Sequence, residues 1–400
     1  MICSIIFYLI FVALTIIGAR YSAGSFQEKV LDKESSTSLR GLMALGVILH
    51  HISQKNAFSD AGELSFFVDI GFLFVGVFFF LSGLGLARSL ESKPGYLDSF
   101  FRKRVLSIAV PFYVMTLIYF GLNFLMHKDI PLAKRLLSLT GITLANEQSW
   151  YVIVQATMYI AFFAAFRNTK TRTKSYAIIL AVILLEAALF LIGGHMFWWI
   201  RIDGSYWWIT NKWDTVHWSW KPVCWWFQGE WWVNSTITFL IGLVLGFNEK
   251  AIIRYLKKIY WLKTAAFLVM AVAAHLIWVK FLGSLNISYW TEFDSGKPGI
   301  DNKFITWTIQ TVEVTCTALF IYMISMKFKT ENAVTRFLGS HSLELYLMQA
   351  IALFGWEFLL PEGKSTAMER CLYAFLVIAS TTLMAVIFKL ICRILLKKAK

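Results

Sequence analysis

"GLMALGVILHHIS", residues 41–53, is apolar enough to enter a membrane, yet it ends on two adjacent histidines and follows Arg40 directly. On a 3.6-residue helix each position turns 100°, so Arg40 and His51 differ by about 20° in azimuth and share one face. At about 1.5 Å per residue their backbones stand about 16 Å apart along the axis. His50 is turned about 80° away and belongs to another face. Ionisable groups inside a membrane are functional candidates, and this pair sets a guanidinium at one mouth and an imidazole three turns deeper.

The rest of the chain agrees with the membrane reading. Of 400 residues 58% are apolar and 16% charged, more apolar surface than a soluble fold of that length can hide. The 17 Trp and 35 Phe suit a bilayer and its interfaces. The fold class is therefore all-α: a polytopic membrane protein without a separate soluble enzyme domain. A spanning helix needs about 20 largely apolar residues, which predicts helices near 2–20, 38–56, 66–87, 105–126, 150–166, 175–194, 232–248, 261–282, 303–326, 338–360 and 371–392. Residues 2–19 have no basic residue ahead of them and read as a first span rather than a cleavable signal.

Eleven spans put the termini on opposite sides. Segments 20–40, 88–104, 167–174, 250–263, 327–336 and 389–400 hold 26 of the 38 Lys and Arg. The positive-inside rule then predicts the amino terminus outside and the carboxyl terminus in the cytoplasm. The net charge of +14 follows from these clusters and implies no nucleic acid. The five cysteines are scattered and suggest neither a disulfide framework nor a zinc site; no metal ligand set is evident.

One outer segment, residues 195–235, carries 11 of the 17 Trp, interleaved with Asp203, Lys212, Asp214, His217 and Glu230. It reads either as an interfacial aromatic belt or as a platform for an acceptor with flat apolar faces, such as a sugar ring.

Four further stretches bear on the Arg40–His51 helix. These are "FFFLSGLGLARS" (78–89), "SFFRKRVLSIAVPFY" (99–113), "SWYVIVQATMY" (149–159) and "FLGSHSLELYLMQ" (337–349). In order and spacing, with an Arg eleven residues before a His, they resemble the integral-membrane acyltransferase-3 family from about residue 36 to about residue 395. The resemblance implies an extra N-terminal helix and basic loop over 1–35 ahead of a ten-helix core over 36–400. It matches Arg40 and His51 to the family's first core helix and Phe79, Ser82 and Gly83 to its Phe-x-x-Ser-Gly turn. Arg104 with Pro111 matches its basic-to-proline segment, Trp150 and Tyr151 its Trp-Tyr pair, and Ser342 and Tyr346 its late motif. Two positions depart: Ser107 stands where many members have a second basic residue, and Gln349 where many have a His.

What the resemblance implies is an O-acyltransferase of a bacterial cytoplasmic membrane. It would use acyl-CoA, commonly acetyl-CoA, as co-substrate with no bound cofactor, and a glycan or lipid-linked sugar of the envelope as acceptor. His51 and Arg40 are the catalytic candidates: an imidazole can take a proton near neutral pH as general base, or alternatively attack the thioester itself to form a transient acyl-His, and a guanidinium binds phosphate in a forked geometry. Arg104, Arg88, Arg102, Lys103 and Ser82 are the donor-binding candidates, and Trp150, Tyr151 and Tyr346 complete the motif positions. Glu313 and Glu344 are candidates for a carboxylate that would orient His51. The rival class is a proton-coupled transporter or flippase of a lipid-linked sugar, in which buried His and carboxylates form a relay. Such folds often show repeated halves, and the Arg40–His51 column has no counterpart in the second half of this chain.

Overall fold

The computed structural model describes residues 2–27, 29–127, 132–141, 144–193, 201–202, 205–206, 229–291, 299–361 and 365–398. Its main helices are α1 (Ile2–Ile16), α2 (Lys33–Ser53), α3 (Gly71–Ser92), α4 (Leu106–Leu125), α5 (Trp150–Asn168), α6 (Arg172–Gly193), α7 (Ile237–Phe247), α8 (Tyr260–Leu276), α9 (Ile300–Ser325), α10 (Ala333–Ser340), α11 (Ser342–Gly355) and α12 (Ala367–Lys398). Each of the eleven expected segments falls on helix. Among the described residues, eight helical stretches are long and apolar enough to cross a membrane, and α1 and α11 are shorter apolar helices.

The boundaries move for local reasons. Helix α2 begins at Lys33 rather than near 38 because Asp32 caps it, its carboxylate accepting from the Ser35 N–H at 2.9 Å. Such a cap satisfies one of the orphan donors of a first turn. The third segment opens at Gly71 rather than 66 because Leu64 lies in the left-handed region and a short turn, Ser65–Val68, comes first. The segment expected over 338–360 is two helices, α10 and α11, divided at His341, whose backbone leaves helical values. The polar part of the Trp-rich stretch, Asp203, Lys212, Asp214 and His217, lies outside the described residues. Glu230 stands in the 3₁₀ turn Glu230–Trp232 that leads into α7.

Ion pairs gather the basic segments on one face of the bundle. Arg88 meets Glu249 at 2.5 Å, Arg172 meets Glu91 at 2.8 Å, Arg167 meets Asp98 at 2.7 Å and Lys329 meets Asp32 at 3.0 Å. On that face the strand Ala19–Tyr21 also pairs antiparallel with Phe328–Thr330. At the other end Lys55 meets Glu357 at 2.8 Å and Arg370 meets Glu63 at 2.9 Å. Segments 20–40, 88–104, 167–174, 250–263 and 327–336, assigned to a common side by charge, therefore touch one another.

Small residues let the helices approach backbone to backbone, the contact that membrane bundles favour. On α3, a side chain at Gly83 would run into the Phe239 carbonyl of α7; one at Gly242 would run into the Phe80 carbonyl of α3. Gly41 of α2 abuts the Thr335 carbonyl and the Gly339 nitrogen, and Gly339 of α10 abuts the Thr37 carbonyl.

Two outcomes follow from these contacts. Gly83→Ala is expected to lower the thermal midpoint, costing about 1–3 kcal/mol of overpacking. Gly85→Ala on the same helix, where an added methyl meets nothing within 4 Å, is expected to keep or raise it, since alanine favours a helix interior over glycine; thermal unfolding in detergent reads both. Burial by itself would raise the Asp32 carboxyl, but the Ser35 hydrogen bonds and Lys329 hold it below its ordinary 3.8. A group depressed in the folded state contributes its stability well above that value and loses it as pH falls through the folded value. Asp32→Asn is accordingly expected to lower stability at neutral pH and to flatten its decline below about pH 5, measured by melts at stepped pH.

Candidate functional site

Helices α2, α3, α4, α5, α10 and α11, with the turn before α4, border a cavity of about 230 Å³ lined by Arg40, Val75, Phe78, Ser82, Arg104, Ile108, Tyr151, Gln155, Tyr159, Gly339, Ser342, Leu343 and Tyr346. Its polar lining is rich in donors. Arg104 donates from Nε to the Tyr96 hydroxyl at 2.8 Å. Among the described residues no carboxylate pairs with it or with Arg40. Gln155 is buried and accepts from the Tyr151 hydroxyl at 3.0 Å through Oε1, while its Nε2 has no partner. Ser82 donates to the Tyr159 hydroxyl at 3.2 Å. Tyr151 and Tyr346 close one wall edge to face, their centroids 5.5 Å apart, and the Tyr151 N–H reaches the Tyr346 hydroxyl at 3.4 Å. Two cations and an unpartnered amide N–H donor, with no acid in the lining, are groups that could answer an anion with several acceptor oxygens.

His51 lies outside this lining, three turns along α2. Its Nδ1 is 3.1 Å from Oε1 of Gln349 on α11, one turn beyond the cavity residue Tyr346. His50 points elsewhere: its Nδ1 donates to the Phe67 carbonyl at 2.8 Å, and its ring lies against the α-carbon of Gly71. The 100° step between adjacent helical residues thus sends one histidine to a structural contact and the other to the α2–α11 seam.

With that geometry in place, the comparison with known families is specific. The acyltransferase-3 family model, described as an acyltransferase domain, matches residues 34–389. The chain belongs to that family. It is an integral-membrane acyltransferase, and α1 precedes the matched residues. No curated protein and no solved structure matches the chain.

The structure sorts the remaining candidates of this acyltransferase. Arg40, Ser82, Arg104, Tyr151, Ser342 and Tyr346 come together in one cavity, although they are spread over more than 300 residues of sequence. Arg88 does not join them. Its guanidinium is held by both Glu249 oxygens at 2.5 and 3.0 Å and donates to the Leu31 and Val30 carbonyls, so it ties α3 to the short helix Glu249–Lys257 after α7 and to the segment leading into α2. Arg102 and Lys103 are exposed on the π-helical turn Phe101–Val105, and of that basic trio only Arg104 reaches the cavity. Trp150 is buried beside Tyr151 and packs rather than lines.

Neither expected carboxylate orients His51. Glu313 of α9 accepts from His275 of α8 at 2.9 Å and from the indole of Trp278, on the π-helical turn after α8, at 2.5 Å. Glu344 faces Lys389 at 4.0 Å. The residues missed by the sequence reading are Gln155 and Tyr159, which carried a signal: with Tyr151 they recur every fourth position on an otherwise apolar helix and so share one face.

The division of labour among the arginines is measurable. Arg88→Gln is expected to lower the thermal midpoint, costing about 1–3 kcal/mol for the stranded Glu249 carboxylate, and to leave anion binding in the cavity unchanged. A loss of binding with no loss of stability would show that Arg88 serves the cavity.

Proposed function

We propose that this acyltransferase draws an acyl group from acyl-CoA, with acetyl the first donor to test, and delivers it to a hydroxyl of an envelope glycan or lipid-linked sugar. The observation that carries the reading is the cavity in which Arg40, Arg104 and the Gln155 amide have no acidic partner among the described residues. The phosphates of CoA supply the acceptor oxygens such a set wants, and guanidinium binds them in a forked geometry. Several cations at one mouth also steer an anion toward it. The positive-inside rule makes the Arg40 face the cytoplasmic one, in a bacterial cytoplasmic membrane with the amino terminus outside.

In this reading the thioester arm runs from the cavity past Tyr151 and Tyr346 toward His51. The imidazole takes the proton of the acceptor hydroxyl, a role typically worth about 10²–10⁴-fold. The oxygen attacks the thioester carbonyl, a C–O bond forms and the C–S bond breaks. The departing thiolate takes the proton back from the imidazolium and leaves as CoA. The acyl group thereby crosses the membrane's width along a fixed protein path while the acceptor stays on the far side.

The test is CoA binding and acetyl-CoA turnover by the purified protein in nanodiscs, with an envelope glycan extract as acceptor. Arg40→Met and Arg104→Met are each expected to weaken CoA binding roughly tenfold or more, the scale of a lost charge-assisted hydrogen bond. His51→Gln is expected to keep CoA binding and lose transfer. Absence of CoA binding by the well-folded wild type would overturn the reading.

A further inference from the structure

Gln349 is fully buried, and its two hydrogen bonds define each other. One end of its amide lies 3.1 Å from the Tyr346 carbonyl oxygen, and the other end lies 3.1 Å from His51 Nδ1. A backbone carbonyl only accepts, so the end facing Tyr346 is the NH₂ group. The end facing His51 is then the amide oxygen, which also only accepts, so the hydrogen between them sits on Nδ1. A neutral imidazole with its hydrogen on Nδ1 keeps its lone pair on Nε2. Turning the amide over would set carbonyl against carbonyl, and moving the imidazole hydrogen to Nε2 would set two lone pairs against each other. Both alternatives leave buried polar atoms unsatisfied.

We propose that Gln349 is a positioning residue that holds His51 as its Nδ1–H tautomer, leaving Nε2 bare to accept the proton of the acceptor hydroxyl. The tautomer follows from the hydrogen bonds alone; its use in the reaction rests on the proposed role of His51 as base. The partner is neutral, and this distinguishes the pair from a His–carboxylate dyad. Among the described residues no carboxylate lies within ion-pair distance of His51. The charged or titratable groups acting on it are His50 of its own helix, whose ring centroid is 5.2 Å away, and Lys55, two residues past the end of that helix. Lys55 is itself paired at 2.8 Å with Glu357 of the turn after α11, and Asp69 acts on His50. An amide oxygen steadies the imidazolium that forms in the reaction without holding the proton as a carboxylate would.

The tautomer can be read without turnover. Protein labelled with ¹⁵N-histidine, in nanodiscs, is expected to show one protonated and one bare nitrogen for His51, with the hydrogen on Nδ1; the signals are assigned by their loss in His51→Gln. Gln349→Leu is expected to give a mixture of tautomers, and Gln349→Glu to retain the Nδ1–H form. In acetyl-CoA transfer to the glycan extract, Gln349→Leu is expected to lower kcat roughly tenfold, the scale on which partners that orient a histidine act, with little change in KM for acetyl-CoA. The acid limb of the rate profile is expected to move to higher pH in Gln349→Glu, by about one unit or more, and to lower pH in Gln349→Leu. A residue serving only to pack would lower the rate without moving the limb in opposite directions. A hydrogen on Nε2 in the wild type, or unchanged signals in Gln349→Leu, would overturn the assignment. Full transfer by His51→Gln would remove the base role while the nitrogen signals still decide the tautomer.

Discussion

The backbone contact between Gly41 of α2 and Gly339 of α10 is the constraint on which the site depends. Each glycine lies against a carbonyl of the other helix, with no room for a side chain between them. Arg40 precedes one glycine, Ser342 follows the other by three positions, and Gly339 itself lines the cavity. Because α11 follows α10 after the single break at His341, the same contact sets the register in which Gln349 meets His51. A methyl group at either glycine would separate the helices where the cavity and the histidine are joined. The Gly83 and Gly242 contacts do the same for α3 and α7 and so hold Ser82 in place.

Around that frame the cations do two kinds of work, and partnership distinguishes them. Arg88 has its guanidinium filled by a carboxylate and two carbonyls, which is how a charge is tolerated inside a fold. Arg40 and Arg104 face a cavity without an acid among the described residues. Groups left in that condition cost folding energy unless a ligand answers them. The free Gln155 amide on the same wall belongs with them.

The adjacent histidines have unlike roles for a geometric reason. His50 donates to the Phe67 carbonyl and rests on Gly71, which secures the turn ahead of α3. His51, one helical step round, reaches another helix and takes a neutral partner. The carboxylates that chemistry would have offered it, Glu313 and Glu344, are engaged by His275, Trp278 and Lys389.

Much of this was legible in the chain itself. Hydropathy located the long helices found among the described residues, because a helix in lipid must carry its own apolar coat along its length. The basic clusters told which loops share a face, because charge near a membrane is a topological signal. Helical arithmetic placed Arg40 and His51 on one face, since that needs only the 100° step. The ordered motifs carried the family. What the chain could not disclose was partnership across helices: that Arg88 is spoken for by Glu249, that Arg102 and Lys103 stay outside, and that Gln349 rather than a carboxylate meets His51. Periodicity sets the azimuth of a residue on its own helix, whereas which groups meet depends on how far and at what register two helices approach. Here that is decided by glycine backbones in contact, and only the tertiary structure brings them together.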